Sequence, residues 1–381
     1  MLDSDPPRGP TVADASLQAH PGHDLDQHRA RATGMDVQGL TAAMMARADL
    51  GDIRAALVYG EALFARQPGA ALAQRLARFH RQCRTFRAGA RLLSRVQARS
   101  CECPAVLRQQ AELAALAQDF SAAANLWEQV LGASREPGSY AILQAVGCLR
   151  HAGQDALAQK VIRAHSDPLR AAHGPDAVAL LSKGLQGLPA APPALSMITG
   201  NNGTGKTSVG HLLQAIGFRI VDADAAIGMY CRAGQYSPLR FDLTQGNPQM
   251  ERDIVWIWPG SLFHAACSRA RDSGHPVAVV GGFGRVVAPF IEQVDHVIHM
   301  AAPTGVIARR LAKRNSPTHR PGTCGHAAAL RRNDRLSAQA LGATPIRANQ
   351  PIWQVCADIL AAFAAPGNAP GPQASVCARQ P

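Results

Sequence analysis

No run of apolar residues in this 381-residue chain approaches the length of about 20 that a helix needs to cross a bilayer. The sequence therefore predicts no membrane-spanning segment. The opening residues, Met1-Leu2-Asp3-Ser4-Asp5-Pro6-Pro7, lack a basic start and an apolar stretch, which speaks against a secretory leader. Nine cysteines, an odd number scattered along the chain, do not describe a disulfide framework. Cys101-Glu102-Cys103 is the one close pair, and no second pair stands at metal-site spacing from it. These absences together point to a reducing, cytoplasmic setting. Lysine is scarce, with four residues (Lys160, Lys183, Lys206, Lys313) against 35 arginines. Acidic residues vanish between Arg66 and Arg99, where nine arginines fall, several at three- and four-residue steps that share a helical face. That stripe and a net charge of +12 raise the question of nucleic acid. No interleaved aromatics or nucleic-acid fold accompany them, so a nucleic-acid partner is not expected. A solvated helix face and a docking face for an acidic protein both stay open.

The length suits two or three domains of roughly 100–200 residues each, and a hydrophobic content of 47% supplies their cores. Residues 1–36 are rich in Pro, Asp, His and Gly without hydrophobic periodicity and read as a disordered leader. The stretch 366–381 reads as a disordered tail. From 37 to 183 the pattern is helical and repeats. Asp52-Ile53-Arg54-Ala55-Ala56 recurs in kind as Asp119-Phe120-Ser121-Ala122-Ala123, and Pro68, Pro104, Pro137 and Pro168 are spaced by 36, 33 and 31 residues. Such spacing resembles tetratricopeptide helix pairs, whose period is about 34. Trp127 and Leu131 are then packing positions, and the repeat offers a surface for a protein partner. A Pro/Gly-rich linker, Gly184 to Pro193, follows.

From 194 to 365 strand and helix patterns alternate, the mark of a parallel sheet wrapped by helices. The expected strands are 195–199, 218–222, 276–280, 296–300 and 345–348. The expected helices are 207–216, 259–272, 304–314, 327–341 and 352–364. Between the first strand and first helix stands Gly200-Asn201-Asn202-Gly203-Thr204-Gly205-Lys206-Thr207, which matches Gly-x-x-x-x-Gly-Lys-[Ser/Thr]. The chemistry explains the spelling. Glycines let successive N–H groups point inward at a phosphate, the lysine reaches the terminal phosphates, and the threonine hydroxyl helps hold Mg²⁺. Ser208 continues the helix whose N-terminus faces the anion. The whole chain is thus expected to be multidomain, an all-α helical repeat followed by an α/β P-loop NTPase domain.

Further features narrow the class. Ile220-Val221-Asp222-Ala223-Asp224 ends the second strand, where two carboxylates can face the phosphates. The competing account is an Asp helix cap with an exposed neighbour. Val277-Ala278-Val279-Val280-Gly281-Gly282-Phe283-Gly284-Arg285 lacks the acidic residue that motor-type and AAA-type ATPases place at this point. Arg309-Arg310-Leu311-Ala312-Lys313-Arg314-Asn315-Ser316-Pro317-Thr318-His319-Arg320-Pro321-Gly322 suits a lid whose cations neutralise a transferred phosphoryl group. Trp256-Ile257-Trp258-Pro259 precedes strand three as packing or as part of an acceptor pocket.

Taken in order, these pieces resemble the small-molecule P-loop kinases, which are shikimate-kinase-like and adenylate-kinase-like enzymes. The resemblance covers residues 194 to 364. It implies that Lys206 and Thr207 serve ATP and Mg²⁺, that Asp222 serves the metal, that Asp224 binds the acceptor hydroxyl, and that Arg314 or Arg320 is the lid cation. Two departures stand out. Gly-Gly-Phe-Gly replaces the three consecutive glycines of shikimate kinases, and Arg240 is only a candidate for their substrate-clamping arginine. The expected activity is transfer of the γ-phosphoryl group of ATP to a small-molecule acceptor. The alternative is a nucleotide switch whose repeat arm recruits a protein.

Overall fold

The computed structural model describes residues 22–97, 103–188, 193–232, 254–282, 284–313 and 341–364. Arg240, Arg314, Arg320, Cys101, the helix expected at 327–341 and the tail lie outside the described residues.

Eight helices form four consecutive antiparallel pairs. The first members are α2 (Val37–Asp49), α4 (Ala70–Gln82), α6 (Pro104–Leu116) and α8 (Ser139–His151). The second members are α3 (Ile53–Arg66), α5 (Phe86–Gln97), α7 (Phe120–Gly132) and α9 (Asp155–Ala164). First members start at residues 37, 70, 104 and 139, so the period is 33, 34 and then 35 residues. The region is a tetratricopeptide-like helical repeat. Its sequence signals have local causes. Asp52 and Asp119 each cap a second helix, with the Asp52 carboxylate accepting from Ala55 N at 3.1 Å and that of Asp119 from Ala122 N at 3.2 Å. Pro68 follows α3, whereas Pro104 opens α6 at the first-turn position where a missing N–H costs nothing. Trp127 is fully buried, as a packing position requires.

Part of the stretch read as a disordered leader is helical. Gly22–Gly34 forms a helix, α1, that docks on the first pair. His28 is buried, with Nδ1 2.7 Å from the Tyr59 hydroxyl, and Ala32 joins the same core. Among the described positions of this helix His28 and Ala32, one turn apart, are the buried ones, too few to register as periodicity.

After α9 come α10 (Ser166–His173), α11 (Pro175–Lys183) and a 3₁₀ turn at Gly184–Gly187. The sheet begins with β1 (Leu195–Gly200), followed by α12 (Lys206–Ile216), β2 (Arg219–Asp222) and a short helix, α13 (Ala223–Ala226). An antiparallel pair, β3 (Met229–Arg232) with β4 (Ile254–Ile257), stands apart from the five expected strands. Then come α14 (Gly260–Arg271), β5 (Val277–Val280), α15 (Gly284–Val287), a 3₁₀ helix Ala288–Gln293, β6 (His296–Ala301), α16 (Thr304–Lys313), β7 (Thr344–Arg347) and α17 (Ile352–Ala364). The five strands of the main sheet are all parallel, in the order β2-β5-β1-β6-β7.

α14 and the 3₁₀ helix cover one sheet face, where Trp258 stacks on Phe263 at 6.2 Å. α12 and α17 cover the other. One hydrophobic core then runs from Leu107 of α6, through α8 and α12, to Phe363 of α17. The repeat is therefore built onto the sheet domain across the linker. At the seam α8 and α12 touch closely: a Cβ on Gly147 would stand 2.8 Å from the Gln214 side chain and 3.2 Å from its backbone. Buried Arg150 donates to the carbonyls of Ala215 and Leu181, and His151 Nε2 lies 3.0 Å from the Phe218 carbonyl. Burial holds the His151 imidazole neutral, with a pKa lowered to about 3. Among the described residues no helix is long and apolar enough to cross a membrane.

Candidate functional site

In a parallel sheet, a crevice opens where neighbouring strands send their connections in opposite directions. Here β1 leads outward to β2 on one side and β6 leads to β7 on the other, so the crevice lies beyond Gly200 and Ala301. Residues 200–207 occupy that position.

The loop turns through left-handed backbone, with φ of 84° at Gly203 and 99° at Gly205, conformations that side chains disfavour. A Cβ on Gly203 would also press on Ile307 and Leu311 at 3.2 Å. Thr204 is buried and its hydroxyl donates to the Asn201 carbonyl at 2.8 Å, bracing the turn. Gly205 is the N-cap of α12, so the first N–H groups of that helix point toward the loop. Lys206 is 7% exposed, and its Nζ donates to the Gly200 and Asn201 carbonyls at 2.5 and 3.1 Å. The ammonium thus lies across the base of the loop. Asn201 is buried, while Asn202, Thr207 and Ser208 are exposed, leaving the Thr207 hydroxyl accessible at the rim.

Asp222 and Asp224 stand beside this loop at the end of β2. Asp222 caps α13, accepting from Ala225 N at 3.1 Å, so the helix-cap account is correct for one of its oxygens. Burial first, and then the neighbouring Asp224, push its carboxyl up to about 6, while Arg81 and Lys206 pull the other way. Asp224 is exposed and accepts from Gly282 N at 3.3 Å. Gly281 and Gly282 therefore serve to seat this carboxylate: a Cβ on Gly281 would lie 3.1 Å from Asp224 Cγ. The Thr199 hydroxyl ties β1 to the same turn through the Gly282 carbonyl at 3.0 Å.

These residues fit a hard cation in chemistry. A hydroxyl and a carboxylate are suitable oxygen ligands for Mg²⁺, which also takes phosphate oxygens and water. Among the described residues no cluster of three or more His, Cys, Asp or Glu could hold a metal alone. A cation bound beside two neighbouring carboxylates, one with a raised pKa, would relieve their repulsion.

Among the described residues, Arg310 of α16 brings a guanidinium to the loop. Its Nη1 donates to the Thr204 carbonyl at 3.1 Å and approaches that of Gly203 at 3.4 Å. Arg310 lies one turn after Ile307 on α16 and next to Leu311, the two side chains that pack on Gly203. Arg310 stands at the Arg-Leu start of the lid segment, whereas Arg314 and Arg320 lie outside the described residues.

No family model matches the chain. No curated protein matches it either. Among solved structures, MamA AMB-1 is similar at 14% identity over 38% of this chain and 89% of that one, with a TM-score of 0.31. A mutant O-GlcNAc transferase from Thermobaculum terrenum is similar at 10% identity over 88% of this chain and 97% of that one, with a TM-score of 0.29. Scores this low carry no argument about function.

Proposed function

We propose that the carboxy-terminal half is an ATP- and Mg²⁺-dependent kinase acting on a small-molecule acceptor. The observation that supports this reading most is the loop itself: a glycine turn in left-handed backbone, placed at the sheet crevice, with Lys206 lying across it and a helix N-terminus behind it. ATP would supply the transferable phosphoryl group. Backbone N–H groups of residues 201–207 would hold its phosphates, Lys206 would swing from the two carbonyls onto the terminal ones, and Arg310 would neutralise charge at the loop's far side. Thr207 and Asp222 would hold the metal, and Asp224 would orient the acceptor hydroxyl. Catalysis of this kind is chiefly positioning and charge stabilisation. Incubation with γ-labelled ATP and a panel of hydroxyl- and phosphate-bearing metabolites tests it. A labelled, acceptor-dependent product supports the kinase.

A second reading takes the loop as a nucleotide switch read out by the repeat. What favours it is that α8 packs on α12, the very helix that follows the loop. Tight ATP binding with slow hydrolysis and no labelled acceptor supports the switch.

Two expectations follow from the geometry. Arg310→Ala should weaken ATP binding about tenfold, near 1.4 kcal/mol, with little change in melting temperature; unchanged affinity would remove Arg310 from the site. Asp222→Asn should act in opposite directions on stability and metal dependence. The wild-type carboxyl has a folded pKa of about 6 against an ordinary 3.8. The stability it gives is present in full below the lower value and is lost as pH rises through the upper one. The amide avoids that loss and keeps an oxygen for the cap. The variant should therefore melt higher than wild type at pH 8, by about 1–2 kcal/mol, with the gap closing toward pH 4. Mg²⁺ should no longer strengthen its nucleotide binding. A variant melting below wild type at pH 8 contradicts this account.

A further inference from the structure

A second cluster of charged and polar side chains lies where the repeat meets the sheet domain. A cavity of about 370 Å³ is bounded on one side by α4, α6 and α8 and on the other by the outer face of α12 and the end of β2. The volume is that of a small-ligand pocket.

Its repeat side is organised around one carboxylate. Glu112 receives Arg108 Nε at 3.1 Å and the Tyr140 hydroxyl at 3.1 Å on one oxygen, and Arg81 Nη1 lies 3.6 Å from the other. The Arg108 guanidinium also lies over the Tyr140 ring at 4.7 Å. Two guanidiniums are thus fixed by a single carboxylate, so the cluster keeps one net positive charge. No described residue accepts from the terminal Nη1 and Nη2 of Arg108. A planar fork held in place with open donors is the arrangement that recognises oxyanions.

The cavity wall adds a polar group whose donor capacity no described residue uses. Gln144 of α8 is 5% exposed and lines the cavity, and its Nε2 has no hydrogen-bond partner among the described residues. Leaving a buried amide donor unmet is costly, and a ligand acceptor would satisfy it. On the opposite wall stand Gly210, which presents no side chain, and His211, whose ring meets Tyr140 edge-on at 4.9 Å. Burial keeps that imidazole neutral at ordinary pH. Thr207 and Asp222 also line the cavity, as does Arg269 of α14.

We infer that this cavity is a second ligand site, which takes a small molecule bearing an oxyanion group between the repeat arginines Arg81 and Arg108 and the nucleotide-loop helix. The anion is held by Arg108 and Arg81, and Gln144 donates to a neighbouring oxygen. Glu112 is the internal counterion that an anion competes with. Because Thr207 and Asp222 are among the residues lining the cavity, its occupancy is linked to the nucleotide site. That linkage alone rests on the function proposed above; the binding does not.

The test is a calorimetric titration of the full-length protein with malonate and, separately, with inorganic phosphate, which distinguish a carboxylate from a phosphate ligand. Saturable binding of at least one is expected. Arg108→Ala should weaken it about tenfold, whereas the isosteric Glu112→Gln should strengthen it several-fold by freeing both guanidiniums. Binding should survive Lys206→Ala, which separates this cavity from the phosphate loop. Adding an ATP analogue with Mg²⁺ should change the anion affinity of wild type but not that of Lys206→Ala. The inference is overturned by an absence of binding, by weakening in Glu112→Gln, or by binding that Lys206→Ala abolishes and Arg108→Ala leaves intact. Should Arg108→Ala fail to fold, the direction of the Glu112→Gln effect decides alone.

Discussion

Replacing Lys206 with alanine is expected to lower ATP turnover by about a thousandfold or more while leaving the fold intact. The lysine is the only one within the loop, in a chain with four in all. It sits buried on the Gly200 and Asn201 carbonyls. Those bonds stabilise the loop modestly, about 1 kcal/mol each, and both carbonyls can turn to water at the crevice. The charge is irreplaceable for another reason. An ammonium that meets the terminal phosphates neutralises charge where it develops, and in a water-poor site one such group is worth several kcal/mol of barrier. Steady-state assays with thermal denaturation alongside separate the two effects. Retained turnover in a folded variant would end the kinase assignment, whereas unfolding would mean that Lys206 is structural.

Arg150→Ala should have the largest effect on stability, about 2–4 kcal/mol. Its guanidinium is buried in the seam between repeat and sheet domain, donating to the Ala215 and Leu181 carbonyls with Asp155 at 3.5 Å. Truncation strands two carbonyls among apolar neighbours, each costing about 1–3 kcal/mol, and empties space next to Gly184. Urea denaturation followed by circular dichroism measures the loss. Since one core joins the second half of the repeat to the sheet domain, those parts of the wild type should unfold in a single transition. A loss below about 1 kcal/mol would mean that the seam contributes little, and that the repeat is a loosely attached arm.

The same seam shows what the sequence could and could not disclose. Five parallel strands and the helices at 206–216, 260–271, 304–313 and 352–364 were legible within a residue or two. Each is a local pattern, either a β-branched run ended by a turn or an amphipathic stretch behind a cap. The repeat was legible through proline spacing and the Asp52 and Asp119 caps, also local signals. The seam was not. Arg150, Gly147 and His151 look like ordinary residues of a basic helix end, and only the meeting of α8 with α12, more than 60 residues away in sequence, gives them partners. The site divides similarly. Residues 200–208 declare themselves because backbone conformation dictates their identity. Arg310 does not, because its role depends on Ile307 and Leu311 packing on Gly203. The arginine stripe was ambiguous for the same reason. Arg81, itself exposed, reaches Glu112 at the cavity, while Arg75 meets the Met45 sulfur at 2.8 Å.

The central claim is that backbone amides of residues 200–207 grip a triphosphate, and calorimetric titration with a non-hydrolysable ATP analogue tests it most directly. Wild type should bind one equivalent in a Mg²⁺-dependent manner, and binding should fall at least tenfold in Gly203→Val, whose side chain would meet left-handed backbone and the Ile307 and Leu311 side chains. Absence of binding to the wild-type protein, or binding indifferent to both Mg²⁺ and Gly203→Val, would contradict it.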